Sequence, residues 1–580
     1  KADLICFFGG ISIFMKKYNF NKNTGIDYLI PVIFTLLLTT VFLLPQLVSK
    51  VGISEPDTIF HFGRFYDTAQ QLKNHNFSYF QMNYGMGTNG RIVNAFYGPF
   101  FAYFLGGLVL ISKSWFQFEI MLVYLLFLIG GIGMYRLSLK LKMSRITSLL
   151  VTTIFLLTGY ICYWARSTSF QAWGAALMPY ILMQGLSLYN DRIKHFNWIS
   201  LGITVAVLAQ VHMLGTFFAI LSLIPFFIYG LINTKDKKKM WIDAFKAVGL
   251  CLCLTANVWG AYLTLYPSNL ISAPLGFSPS STAVHLLWFG EITTWVKIQE
   301  VVLVLFGLQT VYILLNFKQE RLNTFLTIEG LVFLFLSSDF FPWAYLENNF
   351  SFVNNYFQFP NRLTIVAFPL LFSGIGLTIS HIHKNSGFKM GVLANCLLAF
   401  VIIFVFRADL RENMRKVSDS QGNIALVQQM RDRNLSNYLE NNYPNNPDYL
   451  PLQKKMLAWS VSGLIEKYLG KDSDNDYKKE VLSGGKLQLS WNSDNTEKRS
   501  LPLVMYNQSE LIVNSKKVTP KVNEIGLPEV SSKRGRNQAI LSFNTPILFK
   551  ILFGLTMMSW AAVIIIGVKY YCNRIKKRRV

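Results

Sequence analysis

The sequence predicts an α-helical polytopic membrane protein with about twelve spans and a smaller polar domain before the last span. Apolar residues make up 52% and aromatic residues 15% of the 580-residue chain. Mean hydropathy is positive. Together with long apolar runs, this composition is typical of an integral membrane protein.

The apolar runs are near the length of about 20 residues that a helix needs to cross a bilayer. Backbone polar groups in lipid must be hydrogen-bonded within the protein, which helices and closed β-barrels achieve. The runs lack the polar–apolar alternation of a barrel strand, so helices are expected. The runs lie at 28–48, 118–137, 146–164, 173–189, 197–213, 215–232, 242–265, 299–316, 323–338, 363–380, 389–406 and 547–571.

The formal charge of +24 comes from Lys and Arg in short clusters between these runs. Such clusters set membrane topology, so nucleic acid is not an expected partner. Placing every cluster in the cytoplasm agrees with twelve alternating spans. The clusters lie at 16–22, 136–145, 191–195, 235–239, 317–321, 383–389 and 573–579.

This orientation predicts the domain limits. Residues 1–27 are a cytoplasmic or interfacial N-terminus, and 28–406 form the multi-span membrane domain with a first outer loop at 49–117. Residues 407–545 form an extracytoplasmic domain, 546–572 the last span and 573–580 a basic cytoplasmic tail. The short run LICFFGGISIFM (4–15) is either an interfacial helix or the remainder of a missing start.

The apolar run FYGPFFAYFLGGLVLIS (96–112) would reverse the orientation of later clusters if it crossed the membrane. It is therefore predicted to be an interfacial or re-entrant segment on the outer face. The alternative is an ordinary extra span, with the alternation of the later spans restored elsewhere in the chain.

The polar domain 407–545 is predicted to be mixed α/β. It reads as helical to about Gly470 and then as strands ending in a β-sandwich-like part. The predicted strands are KLQLSW, LPLVMY, SELIVNS and AILSFN, with turn signals at NSKK and SDN. None of the six cysteines lies in this domain, so no disulfide scaffold is expected.

The predicted outer loops gather charged and aromatic residues at one membrane face. In SEPDTIFHFGR (54–64), His61 and Arg64 follow Asp57 by about one and two helical turns. A carboxylate and an imidazole at this spacing suit a general base or a divalent cation, and an arginine suits phosphate. The alternative for any single residue is a solvated or belt side chain at a span end.

Several segments together resemble the GT-C superfamily of membrane glycosyltransferases. They are EPDTIFHFGR with FYGPF in the first outer loop, DFFPWAYL (339–346), FQFPNRLTIVAFPLL (357–371) and the tail 501–528. Within that superfamily the chain is most similar to bacterial YfhO-like and 6-pyruvoyl-tetrahydropterin-synthase-related membrane proteins. The resemblance covers most of the chain and implies a GT-C-like fold.

The resemblance implies transfer of a sugar from a polyprenyl-phosphate donor to a cell-envelope polymer, teichoic-acid-like chain or lipid acceptor. It places the enzyme in the bacterial plasma membrane, with its active site outside the cytoplasm. Asp57 matches the acidic residue that activates the acceptor hydroxyl or helps to bind a metal. Several relatives of the wider superfamily have an acidic pair where this chain has Asp57 followed by Thr58, so Mg²⁺ or Mn²⁺ at Asp57 is left open.

The expected site residues fall into three groups. Asp57 and His61 are the expected catalytic pair. Arg64, Arg362 and Arg166 are expected to bind the donor phosphate. The expected substrate-binding residues are Tyr84, Tyr97, His212 and Glu291.

Two other function classes share the predicted topology. A transporter or lipid flippase of envelope precursors would carry ionisable groups near the midplane, and Glu329 is the acid placed well inside a span. A non-catalytic envelope assembly protein would bind polymer through the outer domain. The effect of Asp57→Asn on transfer separates both from an enzyme.

Overall fold

The computed structural model describes residues 24–286, 298–431, 435–441, 443, 445–469 and 477–579. The run at 4–15 and Glu291 lie outside these residues. The described chain is mostly helical, with several apolar helices and a small sheet region.

The helices follow the predicted runs in order. In the first half of the chain they are α1 (Thr24–Ser49), α2 (Pro56–Lys73), α3 (Asn94–Tyr97), α4 (Pro99–Ile111), α5 (Trp115–Lys140), α6 (Arg145–Leu156), α7 (Tyr160–Ser167), α8 (Gln171–Tyr189), α9 (Trp198–Val211), α10 (Met213–Asn233), α11 (Lys237–Leu254) and α12 (Ala256–Leu265). The later ones are α13 (Pro279–Thr282), α14 (Glu300–Asn316), α15 (Arg321–Ser337), α16 (Trp343–Asn349), α17 (Thr364–Asn385), α18 (Phe388–Gln421), α19 (Ile424–Arg431), α20 (Leu435–Asn441), α21 (Ala458–Leu469) and α22 (Ile547–Arg579).

Six helical segments in the described part of the chain are long and apolar enough to cross a membrane, or up to eight if two bent pairs each form one span. The pairs are α6 with α7, bent by 41°, and α11 with α12, bent by 64°. Each of the twelve predicted runs falls on a helix or such a pair. Helices such as α9 and α14 are shorter, so twelve full spans stay a prediction.

The run at 96–112 covers the end of α3, the linking Gly98 and all of α4, a helix of 13 residues. At about 1.5 Å per residue it is roughly 20 Å long, less than the bilayer core of about 30 Å. It packs closely along α2, where the Thr68 hydroxyl donates to the carbonyl oxygen of Ala102 at 2.8 Å. Gly106 permits this approach, because a Cβ there would lie 2.5 Å from the Thr68 hydroxyl oxygen.

Helix α2 begins at Pro56 for local reasons. Pro56 occupies the first turn, where its fixed φ suits a helix and its missing N–H costs nothing. The backbone N–H of Glu55 donates to the Thr58 hydroxyl oxygen at 3.1 Å and closes the helix end. Asp57 therefore stands in the first turn, where a negative charge is favoured by the helix dipole.

The sheet region lies near the C-terminal end. A two-stranded sheet pairs β1 (Leu270–Ile271) with β2 (Pro451–Leu452). A five-stranded antiparallel sheet has the order β3-β4-β10-β6-β7 and a three-stranded one β5-β9-β8. Their bounds are β3 (Lys478–Leu482), β4 (Lys486–Ser493), β5 (Lys498–Ser500), β6 (Ser509–Val513), β7 (Lys516–Val518), β8 (Lys521–Val522), β9 (Pro528–Ser531) and β10 (Gly535–Phe543).

Side chains of both larger sheets share one apolar cluster, including Trp491 of β4 and Val530 of β9. At NSKK, Asn514 and Ser515 both have positive φ, as in a two-residue hairpin turn. The strand predicted at LPLVMY (501–506) is wrong, because no part of that segment belongs to a strand. Its backbone instead bonds to loops, with the Val504 N–H donating to the Asn89 carbonyl oxygen at 2.8 Å.

The predicted domain limit at Arg407 falls inside a continuous helix. Helix α18 has 34 residues and runs from the apolar run at 389–406 to Gln421. The polar region therefore starts as an extension of a long apolar helix, and residue composition changes along it without a backbone break.

Gly98→Ala is expected to lower the apparent melting temperature of the purified protein. Gly98 joins α3 to α4 with φ +77°, and a Cβ there would lie 2.8 Å from the Gln210 carbonyl oxygen. The left-handed backbone alone costs an alanine about 1–2 kcal/mol. Gly107→Ala on α4 is the matched control, since no atom lies within 4 Å of its added Cβ. Equal melting temperatures for the two variants would contradict the prediction.

Candidate active site

The first turns of α2 meet distant parts of the chain around the exposed side chain of Asp57, and the space between these residues is called the cleft. Asp57 and His61 come from α2, and Tyr97 comes from the end of α3. The other contributors are Phe170, His212, the 3₁₀ turn Pro360–Leu363 and residues 446–450.

Asp57 is the carboxylate of this cleft. Its side chain is exposed, and it has no hydrogen bond or ion pair with any residue that the structure describes. Protein nevertheless surrounds the carboxylate on most sides, and this burial raises the pKa of Asp57 to about 6. The charge of Arg362 lowers that pKa, while Asp448 and Glu55 raise it. Asp57 is thus a carboxylate open to a ligand and ionised at neutral pH.

Arg362 is fixed on another side of the cleft. Its guanidinium donates to the Phe357 carbonyl oxygen and to the Gln358 side-chain oxygen, both at 3.3 Å. The guanidinium carbon lies 4.5 Å from the centroid of the Phe359 ring. These contacts hold the positive charge of Arg362 within electrostatic range of Asp57, whose pKa it lowers.

His61 and Arg64 form a layer beneath the cleft. Arg64 Nη1 donates to His61 Nδ1 at 2.9 Å, and Arg64 Nε donates to Asn94 Oδ1 at 3.0 Å. Because a guanidinium only donates, His61 Nδ1 must accept, which puts the imidazole proton on Nε2. The guanidinium carbon of Arg64 also lies 3.8 Å from the Tyr97 ring centroid. Arg64 is therefore largely committed to protein contacts.

Burial, with the nearby charges of Arg64 and His212, holds the pKa of His61 well below its usual range. Its ring stacks on Phe170 with centroids 4.6 Å apart. His61 is thus a neutral group within the aromatic wall. This setting suits the orientation of Arg64 and Tyr97 better than proton abstraction, and a catalytic role for His61 stays a prediction.

Asp448 and Tyr449 reach the same cleft from the polar domain, and the sequence analysis missed them. Asp448 is half-buried and lies within electrostatic range of Asp57 and Tyr97. The ring centroid of Tyr449 lies 5.9 Å from that of Tyr97. The only local signal is the turn-like composition of NNPDYLP, which does not indicate a cleft.

The other expected site residues lie in different settings. Arg166 is buried and pairs with Asp409 at 3.1 Å. The hydrogen bonds of Tyr84 are with Asn76 and Asp67 rather than with Asp57. His212 caps α10, where its Nδ1 accepts the Gly215 N–H at 2.9 Å, and it is close enough to influence His61. Glu291 lies outside the described residues.

Potential metal ligands are few around Asp57. Among the described residues, no three His, Cys, Asp or Glu side chains form a group that could hold a metal ion. The cleft offers two carboxylates, Asp57 and Asp448. Mg²⁺ or Mn²⁺ at Asp57 stays a prediction.

Among solved structures, the apo form of the Archaeoglobus fulgidus oligosaccharyltransferase is similar to this chain. The sequence identity is 12% and the TM-score is 0.40. The match covers 78% of this chain and 64% of that chain, which is less than two thirds of its length. No family model and no curated protein matches. The YfhO-like resemblance therefore stays a prediction.

Proposed function

We propose that this chain is a membrane glycosyltransferase of the GT-C type. It moves a sugar from a polyprenyl-phosphate donor to an envelope polymer or lipid acceptor outside the cytoplasm. The observation that carries the proposal is the Asp57 carboxylate, which is open to the cleft, unpartnered among the described residues and within range of the Arg362 guanidinium. A base and a fixed cation are the two groups that such a transfer needs.

The reaction divides between these two residues. Asp57 takes the proton of the acceptor hydroxyl as its oxygen attacks the anomeric carbon of the donor sugar. A new carbon–oxygen bond forms while the bond from the anomeric carbon to the lipid phosphate breaks. The bonding electron pair leaves with the phosphate, whose negative charge Arg362 stabilises. The products are the glycosylated acceptor and a polyprenyl phosphate, with the proton on Asp57.

Aromatic rings beside Asp57 suit a sugar. The Tyr97 and Tyr449 rings pack edge to face with centroids 5.9 Å apart. Arg64 lies over Tyr97 and Phe96 stacks on Tyr449, and both tyrosines stay partly exposed. Apolar sugar faces pack on such rings, while hydroxyl groups need polar partners that the neighbouring carboxylates supply. The cleft thus combines a sugar platform, a base and a phosphate partner.

Transport is the second candidate function, because Glu329 is buried in α15 with both carboxyl oxygens unpartnered within the described structure. An ionisable group inside a membrane helix is often part of an ion or proton path. Transfer is favoured because the exposed Asp57 carboxylate lies within electrostatic range of the Arg362 guanidinium.

The test is the chemistry of the envelope in cells with and without this protein. Mass spectrometry of wall polymers and lipids is expected to lose one sugar substituent when the protein is absent. Re-expression of the protein should restore that substituent. If the polymers are instead fully glycosylated, or whole precursors accumulate in the cytoplasm, the transferase proposal is wrong and assembly or transport is favoured.

Transfer activity is expected to fall on acidification through pH 6. The pKa of Asp57 is raised to about 6, and only the ionised carboxylate can accept the acceptor proton. The rate should be full above this pKa and fall about tenfold per pH unit below it. The measurement is kcat/KM against pH in membranes supplied with a labelled polyprenyl-phosphate sugar. A profile that stays flat from pH 5 to 8 would contradict Asp57 as the base.

A further inference from the structure

Residues 446–450 of the polar domain are fixed against the membrane domain by buried side chains. Arg91 is 2% exposed, and its guanidinium donates to the Asn446 carbonyl oxygen at 2.7 Å and to the Asp448 carbonyl oxygen at 3.1 Å. The Tyr506 hydroxyl donates to the Tyr449 carbonyl oxygen at 2.8 Å and accepts the Ile92 N–H. Donors from the first loop and from the polar domain therefore converge on one short segment.

The backbone of this segment adopts a conformation that bulky residues rarely occupy. Tyr449 has φ +66°, in the left-handed region. Its ring is held by stacking on Phe96 at a centroid distance of 4.6 Å. Such conformations persist where the surroundings determine them fully, and they cluster at ligand-binding sites. The Tyr449 ring centroid lies 5.9 Å from that of Tyr97, which itself lies 6.0 Å from the His61 ring, so this segment packs beside the helix that carries Asp57.

Among the described residues, the carboxylate of Asp448 accepts hydrogen bonds from the Asn446 side chain and from its own backbone N–H, and the charge of Arg91 stabilises it. The Asn446 side-chain N–H donates to Asp448 Oδ2 at a long 3.3 Å. The Arg91 guanidinium donates to the backbone carbonyl oxygens of Asn446 and Asp448 and not to the Asp448 carboxylate. Asp448 is also within electrostatic range of Asp57, which has the same charge. Two carboxylates facing one cleft repel each other, so the arrangement favours a ligand that donates hydrogen bonds between them.

We propose that Asp448 is a substrate-binding residue whose carboxylate accepts hydrogen bonds from uncharged sugar hydroxyl groups beside Asp57. This inference rests on the proposed function and adds its substrate contact. The hydroxyls belong to the donor sugar or to a sugar of the acceptor. A phosphate is disfavoured at this position by the negative charge of Asp448 and belongs on the Arg362 side.

The test is Asp448→Asn in the full-length protein in membranes, with a labelled polyprenyl-phosphate sugar as donor. The KM of one substrate is expected to rise about tenfold, since losing one charged hydrogen bond in a sugar site costs about that factor. A rise confined to the donor assigns the contact to the donor sugar, and a rise confined to the acceptor assigns it to the acceptor. Asp494→Asn, an exposed carboxylate of the same domain, is the matched control.

The pH profile gives a readout that a merely structural role would not move. The charge of Asp448 raises the pKa of Asp57. Removing that charge should shift the acid limb, which is the fall of kcat/KM at low pH, to lower pH. The other charged or titratable groups facing Asp57 are Arg362, Glu55, Tyr97 and Tyr163, and the variant retains all of them. Those facing Asp448 itself are Arg91, Asp57, Tyr97, Tyr266 and Tyr449.

Asp448→Glu keeps the charge and provides the check if the Asn variant does not fold. It should weaken substrate binding while leaving the acid limb near that of the unsubstituted protein. Unchanged KM values and an unchanged acid limb in an active Asp448→Asn enzyme would overturn this inference alone. Absence of transfer by the unsubstituted protein would overturn the proposed function itself, so the two failures are distinguishable.

Discussion

Asp57→Asn is expected to lower the rate of sugar transfer by about 100 to 10,000-fold, the contribution typical of a positioned general base. Asparagine keeps the size of the side chain and cannot accept the acceptor proton. The measurement is kcat for transfer from a labelled polyprenyl-phosphate sugar at pH 8, where Asp57 is ionised in the unsubstituted protein. Envelope mass spectrometry of cells carrying the variant should show the same lost substituent as cells without the protein.

The melting temperature of Asp57→Asn should not fall with the rate. Surrounding protein raises the pKa of Asp57, which means that the folded state disfavours its charge. Removing that charge at pH 8 is therefore expected to leave stability equal or higher. Asp419→Asn is the matched control, because Asp419 is an exposed acid that pairs with Arg415 at 2.9 Å. Equal transfer rates for Asp57→Asn and the unsubstituted protein would refute the assignment of the base.

Asp57 was accessible to sequence reasoning because its signals are local. It follows an apolar run, and Pro56 marks the helix start that orients it. Arg362 was found in the same way, at the outer end of a predicted span. Asp448 was missed because its place in the cleft depends on Arg91 and on backbone contacts between distant segments. Such long-range contacts have no periodicity that a single sequence displays.

Other differences between expectation and structure have similar causes. The segment 501–506 is apolar like a buried strand, yet its Val504 N–H donates to the Asn89 carbonyl oxygen in a loop, because tertiary contacts override β propensity. Arg166 and Asp409 lie far apart in sequence, so the ion pair that occupies Arg166 was not predictable. The helices themselves were readable from apolar runs, whereas the breaks at 157–159 and 255 depend on packing.

Arg362→Gln is expected to lower kcat/KM for the polyprenyl-phosphate donor by about 100 to 1,000-fold, as removal of one preorganised charge stabiliser does in other enzymes. Glutamine can still donate hydrogen bonds, so the loss reflects the missing charge on the leaving phosphate. A second effect, on the pH dependence of the rate, depends on the charge of Arg362 and not on its shape. Because the charge of Arg362 lowers the pKa of Asp57, the acid limb should move to higher pH in this variant.

Arg362→Lys restores the charge but not the planar guanidinium, so it should regain part of the activity and most of the acid limb's position. Arg415→Gln is the matched control, since Arg415 is exposed and pairs with Glu412 and Asp419. The acid limbs of Asp448→Asn and Arg362→Gln should move in opposite directions, because these residues carry opposite charges beside the same carboxylate. Shifts of the same sign in both variants would mean that the titrating group is not Asp57.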